Sequence, residues 1–334
     1  MENINKLHKK SISKIYYPYI DIIKIISCLG IVCIHTKPFE GTCFNETFIK
    51  ICPTFVSIFF LLSSILLWKK ITWDNKDSKI LQRYISRLLI MYCVWSIILS
   101  PFWVHALWEN VQNDIWWVLP LKFVFYGGCP GSWFIISMIY GTLIVYFANK
   151  YINKHIVFII ILLIFLYYGY VYWGGYDYLN IYWKGTNWFP SPFYASTRSV
   201  FWIECSLYLP YFINSKFLNQ NQSTYLLIAS ILIWIFLTFN TLGKWQYIAN
   251  AFIAIITTLY CIKRPQNTSE NLILATLRNY TIIIYFAHFF YQWIFYHFIG
   301  LGFDNFICSL SCSCITAITI TKLSKRYKIL KYTY

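Results

Sequence analysis

Charge is scarce in this chain. Only 12% of its 334 residues are Asp, Glu, Lys or Arg, about half the share found in a soluble domain. That excludes an ordinary water-soluble fold. The rest of the composition agrees: 58% of residues are hydrophobic and 22% aromatic, and the mean hydropathy is +0.53. Acidic side chains are scarcer still, 12 against 28 basic ones. No Cys-x-x-Cys pair occurs among the 11 cysteines, and no Cys/His cluster has zinc spacing. This argues against zinc ribbons, fingers and dithiol redox centres, so no metal is expected. Cys28, Cys33, Cys93 and Cys205 lie inside apolar runs, where a thiol acts as a small hydrophobe. "CSLSCSC" at 308–314 is also in an apolar segment, without histidine or carboxylate ligands beside it. A disulfide among Cys43, Cys52 and Cys129 remains open. No repeat of fixed period appears, and no small-residue cleavage pattern follows the first apolar run, so no cleavable signal peptide is expected.

What is present is long apolar segments. A spanning helix needs about 20 mostly apolar residues. Ten segments qualify: 18–36, 51–68, 86–104, 132–149, 156–173, 194–213, 224–241, 245–262, 279–298 and 303–321. "NDIWWVLPLKFVFYGG" (113–128) is too interrupted to span, and Trp116 and Trp117 suit a headgroup belt. The net charge of +16 raises the question of nucleic acid. Its distribution answers otherwise. With the N-terminus placed inside, 21 of the 28 Lys and Arg fall on the inner side and 5 on the outer. That is the asymmetry expected of cytoplasmic loops. The expectation is an all-α polytopic membrane protein, a bundle of about ten transmembrane helices with both termini cytoplasmic. It forms a single domain over 1–334 with no separate soluble domain. Its surroundings are the lipid bilayer, and no nucleic acid partner is expected.

Ionisable residues inside such segments face a bundle interior or a wet cavity. Here they are Asp21, Lys24, His35, Arg198, Glu204, His288 and His297. In the first segment, Lys24 and His35 are eleven steps apart, a net offset of about 20° and a rise of about 16 Å. Asp21 sits about −40° from His35. All three share one face. An internal Asp21–Lys24 ion pair, or a Lys24 that snorkels to the inner surface, explains those two without function. His35 fits an interfacial position or a general base. Glu204 lies about 9 Å deeper than Arg198 on another face, and fits a bundle contact or a functional role. His288 sits mid-segment among aromatics, where packing competes with function. Arg83 and Arg87, at i and i+4, flank the third segment and fit either routine flanking or the grip of an anion.

Taken in order, these motifs resemble the acyltransferase-3 family of integral-membrane acyltransferases. "IDIIKIISCLGIVCIH" (20–35) is similar to the first-helix signature, with Lys24 and His35 after Asp21. "VSIFFLLSSILLWKK" (56–70), "QRYISRLLIMYCVWS" (82–96), "GSWFIISMIYG" (131–141) and "IIIYFAHFFYQWI" (282–294) are similar to later ones. Lys24 stands where the family usually has Arg, which keeps the charge but loses the bidentate fork. Ser64 stands where a Gly is usual, and Tyr16, Tyr17 and Pro18 stand where an Arg is often found. The resemblance implies an O-acyltransferase, an O-acetyltransferase of the type that modifies bacterial surface polysaccharide. Acetyl would pass from cytoplasmic acetyl-CoA, a co-substrate rather than a tightly bound cofactor, to a hydroxyl of a glycan or lipid-linked sugar. The protein would sit in the bacterial inner (cytoplasmic) membrane. The roles it implies are catalytic for His35 and Asp21, donor-binding for Lys24, Arg83 and Arg87, and substrate-binding for Arg198, Trp133 and His288. Many members also carry an extracytoplasmic esterase-like domain, for which this sequence shows no segment. Two alternatives stay open at the level of sequence: a small-solute transporter on the same fold, and an accessory membrane protein without chemistry.

Overall fold

The computed structural model describes residues 16–74, 77–101, 104, 131–173, 190–214, 219–239, 246–265 and 271–334. Eleven α-helices occur among them: α1 (Pro18–Thr36), α2 (Phe44–Ile51), α3 (Pro53–Trp68), α4 (Asp77–Ile98), α5 (Trp133–Tyr151), α6 (Lys154–Trp173), α7 (Pro190–Asn214), α8 (Gln220–Phe239), α9 (Gln246–Ile262), α10 (Leu272–Ile299) and α11 (Phe303–Leu323). A 3-10 turn, Lys328–Thr333, follows. No strand appears among the described residues. The all-helical expectation therefore holds.

Among the described residues six helical stretches are long and apolar enough to cross a membrane: Pro18–Thr36, Phe44–Trp68, Trp133–Tyr151, Gln220–Thr238, Leu272–Ile299 and Phe303–Leu323. Each of the ten apolar segments overlaps a helix, and these six stretches do not by themselves confirm the count of about ten. The placement of the termini rests on charge asymmetry alone. Three boundaries differ from the sequence reading. α4 begins at Asp77 rather than 86, so Arg83 and Arg87 lie within it. α10 begins at Leu272 rather than 279, so Arg278 is helical and not in a loop. The second segment is preceded by α2, with Pro53 opening α3, where a missing N–H is harmless. The stretch 113–128 lies outside the described residues.

Two features show how an apolar chain of this kind folds. Its large side chains are exposed along outer helix faces, as with Ile156, Ile159 and Leu163 on α6 and Leu232 and Phe236 on α8. Such faces suit hydrocarbon rather than water. Many of its hydroxyls are satisfied locally: Thr36, Ser57, Thr258 and Ser313 donate to the carbonyls of Val32, Pro53, Ala254 and Ser309. Back-bonding of this kind removes the need for water inside the bundle.

α1 and α10 form the centre. Cys28 donates to the Thr281 carbonyl at 3.3 Å, and the N–H of Gly302 donates to the Thr36 carbonyl at 2.9 Å. With the Asp21–Arg278 contact below, these pairings rise together along both sequences, so the two helices run in the same direction. Gly30 lets α3 approach α1, because a Cβ there would overlap the Phe55 ring. Cys43 and Cys52 are free thiols. Cys52 is buried, and Cys129 lies outside the described residues.

Candidate active site

The first pole of the site is electrostatic. Asp21, in the first turn of α1, is 2% exposed. Arg278 reaches it from α10, with Nη1 at 3.2 Å from each carboxylate oxygen. The Tyr16 hydroxyl donates to Oδ2 at 2.9 Å. The ion pair made by Asp21 is thus with Arg278, and not with Lys24 as helix spacing implied. A neighbouring helix can point a side chain straight at the carboxylate, whereas an i, i+3 partner must lean along its own helix. Lys24 remains within electrostatic range of Asp21, Arg278 and Arg87. Asp21 thus has Arg278 bound to it and Lys24 in range, and Arg87 adds a further positive charge near Lys24, an arrangement suited to an anion. Arg83 and Arg87 are both exposed on α4, and Arg87 Nη2 donates to the Tyr334 carbonyl at 3.2 Å. The neighbouring Thr333 is fully buried, and its carbonyl accepts from Trp95 Nε1 at 3.0 Å.

The second pole is a pair of imidazoles at the far end of α1. The His35 and His288 rings lie 5.4 Å apart between centroids, with planes 38° apart. Phe289 packs against both, at 4.5 Å from His35 and 4.1 Å from His288. His288 is fully buried, with Nδ1 3.1 Å from the Ile284 carbonyl. A carbonyl only accepts, so Nδ1 carries the proton and Nε2 carries the lone pair. That Nε2 is buried and has no partner among the described residues. An oriented imidazole with a free lone pair is the form a proton acceptor needs.

α5 closes the site from its N-terminal end. The Tyr285 hydroxyl donates to the Gly131 carbonyl at 3.0 Å, and the Tyr285 ring meets His288 edge-on at 6.1 Å. Gly131 has φ +77°, and a Cβ there would overlap the Phe289 ring. Trp133 stands further off. Its ring meets Phe60 and Phe134, and Phe134 in turn meets Tyr285.

Glu204 on α7 is fully buried. Asn149 Nδ2 donates to its Oε2 at 2.7 Å and to the Val145 carbonyl at 3.0 Å. Glu204 Oε1 and Asn149 Oδ1 are buried without a partner among the described residues. Arg198 lies on α7, but its side chain is outside the described residues. Among the described residues no three His, Cys, Asp or Glu side chains converge as a metal site.

The structure therefore brings Asp21 and Lys24 to one pole, near Arg87, and His35 and His288 to the other. Sequence reasoning missed Arg278, because a charged residue ends a hydropathy window early. Asn271 was the available signal. It is a favoured N-cap residue, and its side chain accepts from the N–H groups of Ile273 and Leu274. A family model described as an acyltransferase domain matches residues 17–323. No curated protein and no solved structure matches the chain. The match takes in Asp21, Lys24, both arginines of α4, Arg278 and both histidines, and the chain belongs to the acyltransferase-3 family of membrane acyltransferases.

Proposed function

We propose that the protein is an O-acetyltransferase that moves acetyl from cytoplasmic acetyl-CoA to a hydroxyl of a cell-surface or lipid-linked glycan. The observation that carries this reading is the polarity of the α1–α10 pair, with a cation-rich pole around Asp21 and a two-histidine pole beyond it. Lys24 and His35 are separated by about 16 Å of helix. An extended pantetheine arm has a length of the same order. The anionic end of the donor is then held by Lys24, Arg83 and Arg87, while its thioester lies near His35.

The chemistry needs one proton acceptor that becomes a donor. His35 takes the proton of the acceptor hydroxyl, whose oxygen attacks the thioester carbonyl. The C–S bond breaks as the C–O bond forms, and the leaving thiolate recovers the proton from the His35 imidazolium. The lone pair of His288 Nε2 sits beside it and accepts a hydrogen bond from the hydroxyl or from His35. Asp21, neutralised by Arg278, holds the first turn of α1 against α10 and sets the level of Lys24. Arg198 and Trp133 belong to the acceptor side in this scheme. No observation favours the solute-transport alternative.

The test is transfer of labelled acetyl from acetyl-CoA in membranes holding the protein, with wild type compared to His35→Ala at equal abundance. Label entering a glycan or lipid-linked fraction, and lost in the variant, supports the assignment. Undiminished transfer by His35→Ala refutes the role of His35. Absence of transfer by the wild type, with no binding of acetyl-CoA, refutes the donor.

A further inference from the structure

The turn between α3 and α4 holds an unusual residue. Trp73 has φ +66°, a left-handed backbone that bulky L-residues rarely adopt. The conformation is held from both sides by one carboxylate. Asp77, fully buried at the start of α4, accepts from the Thr72 N–H at 3.1 Å, the Thr72 hydroxyl at 3.3 Å and the Asp74 N–H at 3.0 Å. The residues before and after Trp73 are thereby clamped, and the indole between them stays 44% exposed.

Its ring does not project at random. The Trp73 plane lies within 9° of Trp68 and within 10° of Tyr146, with centroids 6.2 and 5.8 Å away. Trp68 is itself locked, since its Nε1 donates to the Ile203 carbonyl at 3.1 Å. Three helical and loop elements thus supply a set of near-parallel rings, of which Trp68 and Tyr146 are buried and Trp73 is exposed. Basic groups accompany the set: the exposed Lys150 places Nζ 5.8 Å from the Tyr146 ring, and Lys70, three residues before Trp73, is also exposed. Lys69 Nζ donates to the Tyr17 hydroxyl at 2.9 Å, which ties the turn to the start of α1. The aromatic set therefore lies at the same end of the bundle as Asp21, Lys24 and Arg278.

We propose that Trp73 is the stacking platform for the adenine of the acyl-CoA donor, with Lys150 and Lys70 facing the phosphate on its ribose. This rests on the donor assigned above and adds the part of the site that reads the nucleotide. A flat ring fixed in direction, open on the surface and accompanied by cations matches an aromatic base joined to phosphates. A tryptophan that only anchored the protein among lipid headgroups would need neither a left-handed backbone nor a buried carboxylate to hold it.

The experiment measures affinities of the purified full chain in nanodiscs for three probes: coenzyme A, adenosine 3′,5′-bisphosphate and pantetheine. Trp73→Ala is expected to weaken the first two by about tenfold or more, the scale of a lost base stack. It should leave pantetheine unchanged, and Trp73→Phe should retain most of the affinity. Lys150→Gln should weaken the two phosphate-bearing probes in a salt-dependent way, and it keeps the proposal testable if the tryptophan variants are poorly folded. Wild-type affinity of Trp73→Ala for coenzyme A overturns the platform and leaves the donor assignment standing. A wild type that binds neither coenzyme A nor its fragments overturns both. Equal weakening of pantetheine and the bisphosphate marks a structural or lipid-anchoring role and also overturns the platform.

Discussion

Replacing Arg278 by alanine should damage the protein more than replacing its partner Asp21. The side chain of Asp21 is 3% exposed and that of Arg278 is 33% exposed. Loss of the arginine leaves a carboxylate in the bundle interior with the Tyr16 hydroxyl as its hydrogen-bond donor and Lys24 only at longer range. Removing one member of a buried pair costs about 3–5 kcal/mol. Solvent reaches a third of Arg278, which screens the pair, so the expected loss is about 2–4 kcal/mol. Asp21→Asn keeps an oxygen for Tyr16 and leaves a guanidinium able to turn to water, for an expected loss of about 1–2 kcal/mol. Arg278→Lys should retain much of the stability, because a single nitrogen makes both contacts to the carboxylate. The double variant Asp21→Asn, Arg278→Gln leaves no unpaired carboxylate and should melt above Arg278→Ala. Thermal unfolding of the four variants in one detergent reads out the order. A melting point for Arg278→Ala equal to wild type, or a larger loss from Asp21→Asn than from Arg278→Ala, would refute the pairing. Lys24 would then be the cation that neutralises Asp21.

Gly131→Ala adds a Cβ that overlaps Phe289, the ring packed against both histidines, and forces a side chain onto a φ of +77°. Acetyl transfer should fall by about tenfold or more if a displacement near 1 Å reaches the reacting groups, with protein abundance checked by immunoblot; unchanged transfer means that Phe289 does not position the imidazoles. Glu204→Gln should hold or raise the melting point, because it removes a buried charge and offers an amide donor where Glu204 Oε1 and Asn149 Oδ1 both stand unpartnered. Glu204→Ala strands the Asn149 amide and should lower stability by about 1–3 kcal/mol; a glutamine variant less stable than the alanine variant would show that the ionised carboxylate is needed.

The first helix was legible almost to the residue. Its apolar run, Pro18 at the first turn and the eleven-residue spacing of Lys24 and His35 are all local properties. So were the positions of the ten apolar segments, since each lies within about 20 residues of chain. The start of α10 was not. Arg278 lowers the local hydropathy and ends the apolar window, although the helix continues through it to its cap at Asn271. Hydropathy measures preference for hydrocarbon, whereas helix continuation depends on backbone hydrogen bonds that a charged side chain does not interrupt.

Membrane class, helical architecture and family are therefore decided by the sequence itself, because they follow from composition, segment length and motif order. The pairing of Asp21 with Arg278, the meeting of His35 with His288, and the alignment of the Trp73 ring with Trp68 and Tyr146 are decided by the tertiary structure alone. Each joins side chains through helix packing rather than helix spacing. The histidines are 253 positions apart in the chain and 5.4 Å apart in the bundle. Helical periodicity states which residues share a face. Only the packing of α1 against α10 states what that face meets.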